Sequence, residues 1–178
     1  MNNFDLHTPT RILFGKGAIE KLREQIPAEA RVLITYGGGS VKKTGVLDQV
    51  LTALNGLDVL EFGGIEPNPS YETLMNAVKL AREEKVTFLL AVGGGSVLDG
   101  TKFIAAAAHY DANIDPWEIL ETYGSKIASA IPMGSVLTLP ATGSESNKGA
   151  VISRKTTGDK RAFMSSHVQP QFAILDPV

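Results

Sequence analysis

The chain has 178 residues, 43% of them hydrophobic and 20% charged, a balance that can bury one domain's core and does not read as disordered. Its 17 basic and 19 acidic residues leave a net charge of −2 with no basic block, which argues against nucleic acid as a partner. With no cysteine, disulfides and thiolate–metal sites are excluded, and a cytoplasmic address fits.

The opening residues MNNFDLHTPTR lack the basic-then-apolar pattern of a signal peptide. No apolar run approaches the ~20 residues of a membrane helix, so no membrane partner is expected. The first 14 residues are read as an extra strand or hairpin. Arg31–Tyr36 (RVLITY) is a β-branched run ended by three glycines. Leu47, Val50, Leu51 and Leu54 share one face of a helix over Val46–Leu54. Asp58–Phe62 (DVLEF) is a strand, and Gly63–Pro69 is a loop. There Asn68 is placed to cap the next helix and Pro69 to open it. That helix runs to about Glu84 with Leu74, Ala77, Val78 and Ala81 on one side. Val86–Val92 (VTFLLAV) is apolar throughout, as a strand covered on both faces should be. Gly93–Gly95 turn the chain into an Ala-rich helix from Ser96 to Ala108. Trp117, after Asp115-Pro116, anchors a helix start. Beyond it come short strands at Val136–Leu139, Ala150–Ser153, Arg161–Met164 and Phe172–Leu175. Alternating strands and helices imply α/β architecture, with a parallel sheet and helices on both faces.

Two junctions repeat one pattern: Tyr36-Gly37-Gly38-Gly39-Ser40 and Val92-Gly93-Gly94-Gly95-Ser96. Glycine admits positive φ and close approach of backbone to a ligand. A helix starting just after offers free N–H groups and a positive dipole end to phosphate. Any tight turn between strand and helix also uses glycine. Two triplets behind two apolar strands tilt the balance toward a nucleotide. Ser96 is a natural N-cap and a donor to phosphate oxygen. G-x-G-x-x-G is absent, because Lys42 and Leu98 stand where its last glycine belongs. Gly95–Lys102 approaches a P-loop but has Thr101 and Lys102 in the wrong order.

Thr138-Leu-Pro-Ala-Thr142-Gly-Ser144-Glu-Ser146-Asn147 carries four hydroxyls, a glycine and an amide out of a strand. Such groups grip phosphate, ribose or a carboxamide by neutral hydrogen bonds. A plain polar turn, with Thr142 or Ser144 capping a helix, is the competing reading. G-x-S-x-G is absent. Asp99 is placed either to meet a ribose hydroxyl or carboxamide, or to sit in the helix dipole. Lys102 is expected to solvate a helix face or pair with Asp99 at i,i+3. His7, His109 and His167 lack metal-ligand spacing and are read as surface or structural residues; no metal site and no catalytic residue are assigned.

Phe14-Gly-Lys-Gly17, Glu66-Pro-Asn-Pro69, Gly93-Gly-Gly-Ser-Val-Leu-Asp99, Thr138-Leu-Pro-Ala-Thr-Gly-Ser-Glu145 and Leu175-Asp-Pro177 follow in an order that resembles the iron-containing alcohol dehydrogenase family, in its NADPH-dependent aldehyde-reductase branch. The resemblance spans essentially the whole chain. It implies a Rossmann-like nucleotide-binding domain over residues 1–178, followed in the family by a helical metal domain that is absent here. It implies NADP(H) contacts at Gly38, Gly39, Ser40, Asn68, Gly94, Gly95, Ser96, Asp99, Thr138, Thr142, Ser144 and Asn147, with Lys160 also within reach. The family's divalent metal, zinc or iron, is held by ligands beyond Asp176-Pro177, so the chain alone is expected to be inactive. Relatives of this kind pair as homodimers near the N-terminal strand, here Phe4–Thr8. NAD-specific relatives carry an acid beyond the strand matching residues 31–36. This chain has Gly37–Ser40 there, with Lys42 and Lys43 behind, which admits a 2′-phosphate. The rival expectation is a non-catalytic scaffold that keeps the fold without useful cofactor binding.

Overall fold

The β-branched and apolar runs of the sequence meet in one sheet. The computed structural model describes residues 7–177. Its strands are β1 (Arg11–Phe14), β2 (Arg31–Tyr36), β3 (Asp58–Phe62), β4 (Phe88–Gly93), β5 (Met133–Leu137), β6 (Gly149–Arg154), β7 (Asp159–Met164) and β8 (Phe172–Leu175). The helices are α1 (Ser40–Lys43), α2 (Val46–Ala53), α3 (Tyr71–Glu83), α4 (Gly95–His109) and α5 (Glu118–Glu121), with 3-10 turns at Ala18–Gln25 and Ser166–Val168. Six strands pair in parallel in the order β1-β8-β5-β4-β2-β3. β6 and β7 form a separate antiparallel hairpin. The result is the Rossmann-like α/β fold that the sequence implies.

Side chains sort by strand parity into two cores. Leu33, Leu89 and Ala91 pack against Leu74 and Val78 of α3 and Leu98 and Phe103 of α4. Val32, Ile34 and Leu90 face the other way, onto Leu47 and Val50 of α2 and Leu22 of the first 3-10 turn. Covered on both faces, β4 is buried at every residue. No helix among the described residues is long and apolar enough to cross a membrane.

The order of the strands sets the site. From β2 the chain crosses to β3 on one side, then returns to β4 on the other. Connections thus leave β2 and β4 in opposite directions and open a crevice at their carboxyl ends, the usual ligand position of such sheets.

Several boundaries depart from expectation. Asn68 does not cap α3 and Pro69 does not open it. Asn68 takes a left-handed conformation (φ 53°), and the cap is Ser70, whose Oγ accepts from Thr73 N–H at 3.4 Å. Glu66 fixes that cap, because its Oε1 accepts from both Ser70 Oγ (2.6 Å) and Thr73 Oγ1 (3.0 Å). Ser96 is not a cap either: Gly94 occupies that position and Ser96 lies inside the first turn of α4. β5 ends at Leu137 rather than Leu139, since Thr138 N–H turns to Gly93 O at 3.0 Å. No helix follows Thr142 or Ser144; the segment turns directly into β6. Of the four short strands of the last third, β5 and β8 belong to the main sheet, while β6 and β7 form the pair apart from it. At the other end β1 is an edge strand, parallel to β8 and in no hairpin. Of the Phe4–Thr8 segment expected to offer an open edge, residues 4–6 lie outside the described residues. Trp117 does anchor a helix start: it is buried before α5 and its backbone N–H donates to Asp115 Oδ1 at 2.9 Å.

Phe88 and Phe172 stack with centroids 6.1 Å apart, and a Cβ at Gly134 would come within 2.2 Å of the Phe172 ring. Both rings are buried, so neither has room to swing away. Gly134→Ala is therefore expected to lower the unfolding free energy by about 1–3 kcal/mol, the range for overpacking a filled core. A urea-melt midpoint equal to that of the parent chain would show that the ring yields freely.

Candidate nucleotide-binding site

The first glycine turn leaves β2 with open space above it. A Cβ at Gly38 or Gly39 would touch nothing within 4 Å, and Gly39 has φ 107°, a conformation that favours glycine. Gly37 is crowded by Ile65 O, 3.1 Å from where its Cβ would lie. The 63–65 loop is sewn to this turn by Gly64 N–H to Gly37 O and Ile65 N–H to Tyr36 O, both 3.1 Å. Lys42 Nζ stands 5.0 Å over the Tyr36 ring, whose hydroxyl donates to Glu61 Oε2 at 3.1 Å. Tyr36, Gly37–Gly39, Lys42, Gly63 and Gly64 enclose a cleft of about 320 Å³.

The second turn leaves β4 in the next strand position. Val97 packs against it and also lies 3.6 Å from the Cβ position of Gly37, so one side chain touches both turns. The Thr138–Asn147 segment folds over this second turn. Thr142 Oγ1 would lie 2.6 Å from a Cβ at Gly95, close contact that only glycine permits. Ser144 is buried, while Thr138, Thr142 and Asn147 are exposed. Ser144 Oγ donates to Asp99 Oδ1 at 2.7 Å, and Val151 N–H donates to Asp99 Oδ2 at 3.0 Å. Asp99 thus ties α4 both to the loop and to β6.

Lys102 departs most from expectation. It neither solvates a face nor forms a direct ion pair with Asp99. It is fully buried, and Nζ donates to Ser144 Oγ (3.0 Å), Asn147 Oδ1 (2.8 Å) and Gly149 O (2.9 Å). Burial pushes its ammonium down to about 8, against the opposing pull of the Asp99 and Glu145 carboxylates. A signal was present in the sequence: Phe103–Ala108, the run that follows Lys102 on α4, is apolar on all sides and offers it no polar face.

Asn68 and Lys160 meet, Lys160 Nζ donating to Asn68 Oδ1 at 2.8 Å. Their elements are joined again by Ser153 N–H to Pro69 O at 3.0 Å. The hairpin so docked shares a second cleft, about 310 Å³, with Asp99, Thr142, Ser144 and Asn147. The residues singled out from sequence therefore fall in three neighbouring groups: Gly38, Gly39 and Ser40 at the first turn; Gly94, Gly95, Ser96, Asp99, Thr138, Thr142, Ser144 and Asn147 at the second; and Asn68 with Lys160 at the hairpin. Another cavity, of about 410 Å³, lies apart, between the first 3-10 turn and α2. Its ionisable lining is Glu20, Asp48 and Asp176, all acidic, which disfavours phosphate. His7, His109 and His167 are exposed. Among the described residues no three or more His, Cys, Asp or Glu group together as metal ligands.

A Rossmann-like domain with paired glycine turns at its switch point is the class these observations define. The chain belongs to the iron-containing alcohol dehydrogenase family, whose model matches residues 9–177. It is 85% identical over 178 residues to the NADPH-dependent aldehyde reductase YqhD of Escherichia coli K12, covering all of this chain and 46% of that protein. It is 46% identical to NADP-dependent alcohol dehydrogenase 3 of Entamoeba histolytica, covering 99% of this chain and 47% of that protein. The crystal structure of Escherichia coli K-12 YqhD superposes with a TM-score of 0.97 over 99% of this chain and 45% of that one. That of NADH-dependent butanol dehydrogenase A from Thermotoga maritima, 42% identical, gives 0.93 over 99% of this chain and 45% of that one. The chain spans about half the length of these relatives.

Beside the site, burial pushes the Glu66 carboxyl up, but hydrogen bonds from Lys155, Ser70, its own backbone and Thr73 outweigh burial and hold it at about 2. A carboxyl depressed in the folded state stabilises it above the ordinary 4.5 and loses that contribution as pH falls through about 2. Between pH 5 and 2 the parent chain should lose thermal stability more steeply than Glu66→Gln. Parallel melting curves across that range would show that these bonds leave the carboxyl unshifted.

Proposed function

We propose that the chain binds NADP(H) in the crevice between β2 and β4, as the nucleotide-binding domain of a metal-dependent alcohol dehydrogenase or aldehyde reductase. One observation carries this reading: both glycine turns end adjacent parallel strands, at the point where the sheet's connections reverse. Gly94 and Gly95, with the Ser96 hydroxyl and the first N–H groups of α4, would receive the pyrophosphate. Gly38, Gly39 and Ser40 would receive the adenosine end. Asp99, Thr138, Thr142, Ser144 and Asn147 would line the cleft toward the nicotinamide, with Asn68 and Lys160 at its flank. The names of two relatives, NADPH- and NADP-dependent, agree with this, while that of the Thermotoga maritima protein is NADH-dependent.

Residues at the first turn support a preference for the 2′-phosphate. Gly37–Ser40 carry no acid. The nearby Glu61 accepts from Tyr36, and Lys42 sits over that same ring. Titration followed by nicotinamide fluorescence should therefore give tighter binding for NADPH than for NADH. Ser40→Asp, a carboxylate placed within a few ångströms of the phosphate, should weaken NADPH about tenfold or more and leave NADH little changed. Equal affinities in the parent chain would overturn the coenzyme preference. No binding of either coenzyme would leave a folded scaffold.

Within a longer protein the domain would present NADPH for hydride transfer to an aldehyde. The divalent metal of the family would polarise the substrate carbonyl there. The described residues supply no cluster of ligands to hold it. The 178-residue chain is therefore expected to show no turnover of butanal with NADPH and added zinc or ferrous iron. Metal-dependent oxidation of NADPH by the pure chain would contradict this.

A further inference from the structure

Lys102 occupies a position that packing alone would fill with leucine or methionine. Burying an ammonium is costly unless its hydrogens are all satisfied. Here they are, and their three acceptors do not lie on the helix that carries the lysine. Ser144 Oγ, Asn147 Oδ1 and Gly149 O come from the segment running from the hydroxyl-rich loop into β6. The acceptors are themselves held. Asn147 Oδ1 also accepts from Gly149 N–H at 3.0 Å, and Ser144 Oγ passes its hydrogen to Asp99. Lys102 to Ser144 to Asp99 is thus a hydrogen-bond chain with one fixed direction. Asp99 in turn accepts from Val151 N–H, which closes the network on β6. An amide or hydroxyl at residue 102 could not reach three acceptors at once, for only the ammonium carries three hydrogens.

What this network holds in place is the loop over the second glycine turn. Thr142 presses against Gly95, accepts from Ser144 N–H at 3.4 Å and donates to no described residue. Apart from these bonds, little restrains residues 139–147: Leu139, Pro140 and Ala141 are exposed. Gln169 Nε2 to Ser146 O, at 3.0 Å, is the tie from the other side.

We propose that Lys102 is the positioning residue of this site: its ammonium staples the Thr138–Asn147 loop to α4 and so sets how the loop's hydroxyls meet the bound nucleotide. The consequence for binding rests on the NADP(H) reading above; the stapling itself does not.

Lys102→Met, of similar length and without charge, tests both. Hydrogen-exchange mass spectrometry reads the loop, and NADPH fluorescence reads the site, at a temperature where circular dichroism shows each variant folded. Val50→Ala, on the buried side of α2 and on the opposite face of the sheet, is the control for a general loss of stability. In Lys102→Met the amides of residues 142–151 should exchange at least tenfold faster, with β2 and α3 unchanged. Its NADPH dissociation constant should rise at least tenfold. Val50→Ala should show neither effect. Asn147→Ala removes one acceptor at the exposed end and should show the same loop-confined change to a lesser degree, which decides the matter if Lys102→Met does not fold. Unchanged loop exchange, or faster exchange spread over the whole sheet, overturns the proposal. If the parent chain binds no NADPH, the cofactor reading fails, while the exchange pattern still decides the staple.

Discussion

Parallel pairing of β2 with β4, Tyr36 opposite Val92, is the constraint on which the rest of this structure depends. It brings two distant glycine triplets to one edge of the sheet at one height. Strands so paired need long crossover connections, which become α2 and α3 and bury the sheet on both faces. Once β3 lies on the far side of β2, the return to β4 must open a crevice between the two. The glycines then have a reason beyond turning the chain. Gly37 and Gly95 stand where a neighbour's backbone or side chain approaches within contact, whereas Gly38 and Gly39 face open space.

Elements with simple local causes were plain in the sequence. Arg31–Tyr36, Asp58–Phe62 and Phe172–Leu175 are β-branched or aromatic runs with clear ends, and the structure keeps them at the same bounds. The helix start after Glu66-Pro67-Asn68-Pro69 was misread because two local signals competed there. Proline at a first position is a good rule, yet Ser70 wins the cap because Glu66, four residues earlier, orients its hydroxyl. Lys102 was missed for a different reason. The apolar run after it hinted at burial, but the partners that meet its charge are more than 40 residues away in sequence, and nothing local points to them. The polar segment after β5 was legible as a site candidate, but not its form: a turn locked onto α4, with no helix for Thr142 or Ser144 to cap.

Two groups of polar contacts stand out among those that hold the hairpin β6–β7 to the sheet domain. Asp99 and Lys102 clasp its first residues from α4. On the other side the first turn of α3 holds its tip. Glu72 accepts from the backbone N–H groups of Lys155 and Thr156, and Glu66 pairs with Lys155 Nζ at 2.8 Å. The hairpin is no part of the main sheet, so its position follows from these side chains together with backbone bonds to Pro69 and Tyr123.

One small cluster gives this arrangement a practical consequence. Arg154, at the end of β6, lays its guanidinium 5.2 Å over Trp117 and 4.9 Å over Tyr71, while Asp115 takes its charge at 3.1 Å. Trp117 is the chain's single tryptophan. The molecule therefore carries its own optical gauge. A cation over the ring perturbs indole emission, so lifting the hairpin would register in the near-ultraviolet as an event separable from melting of the sheet.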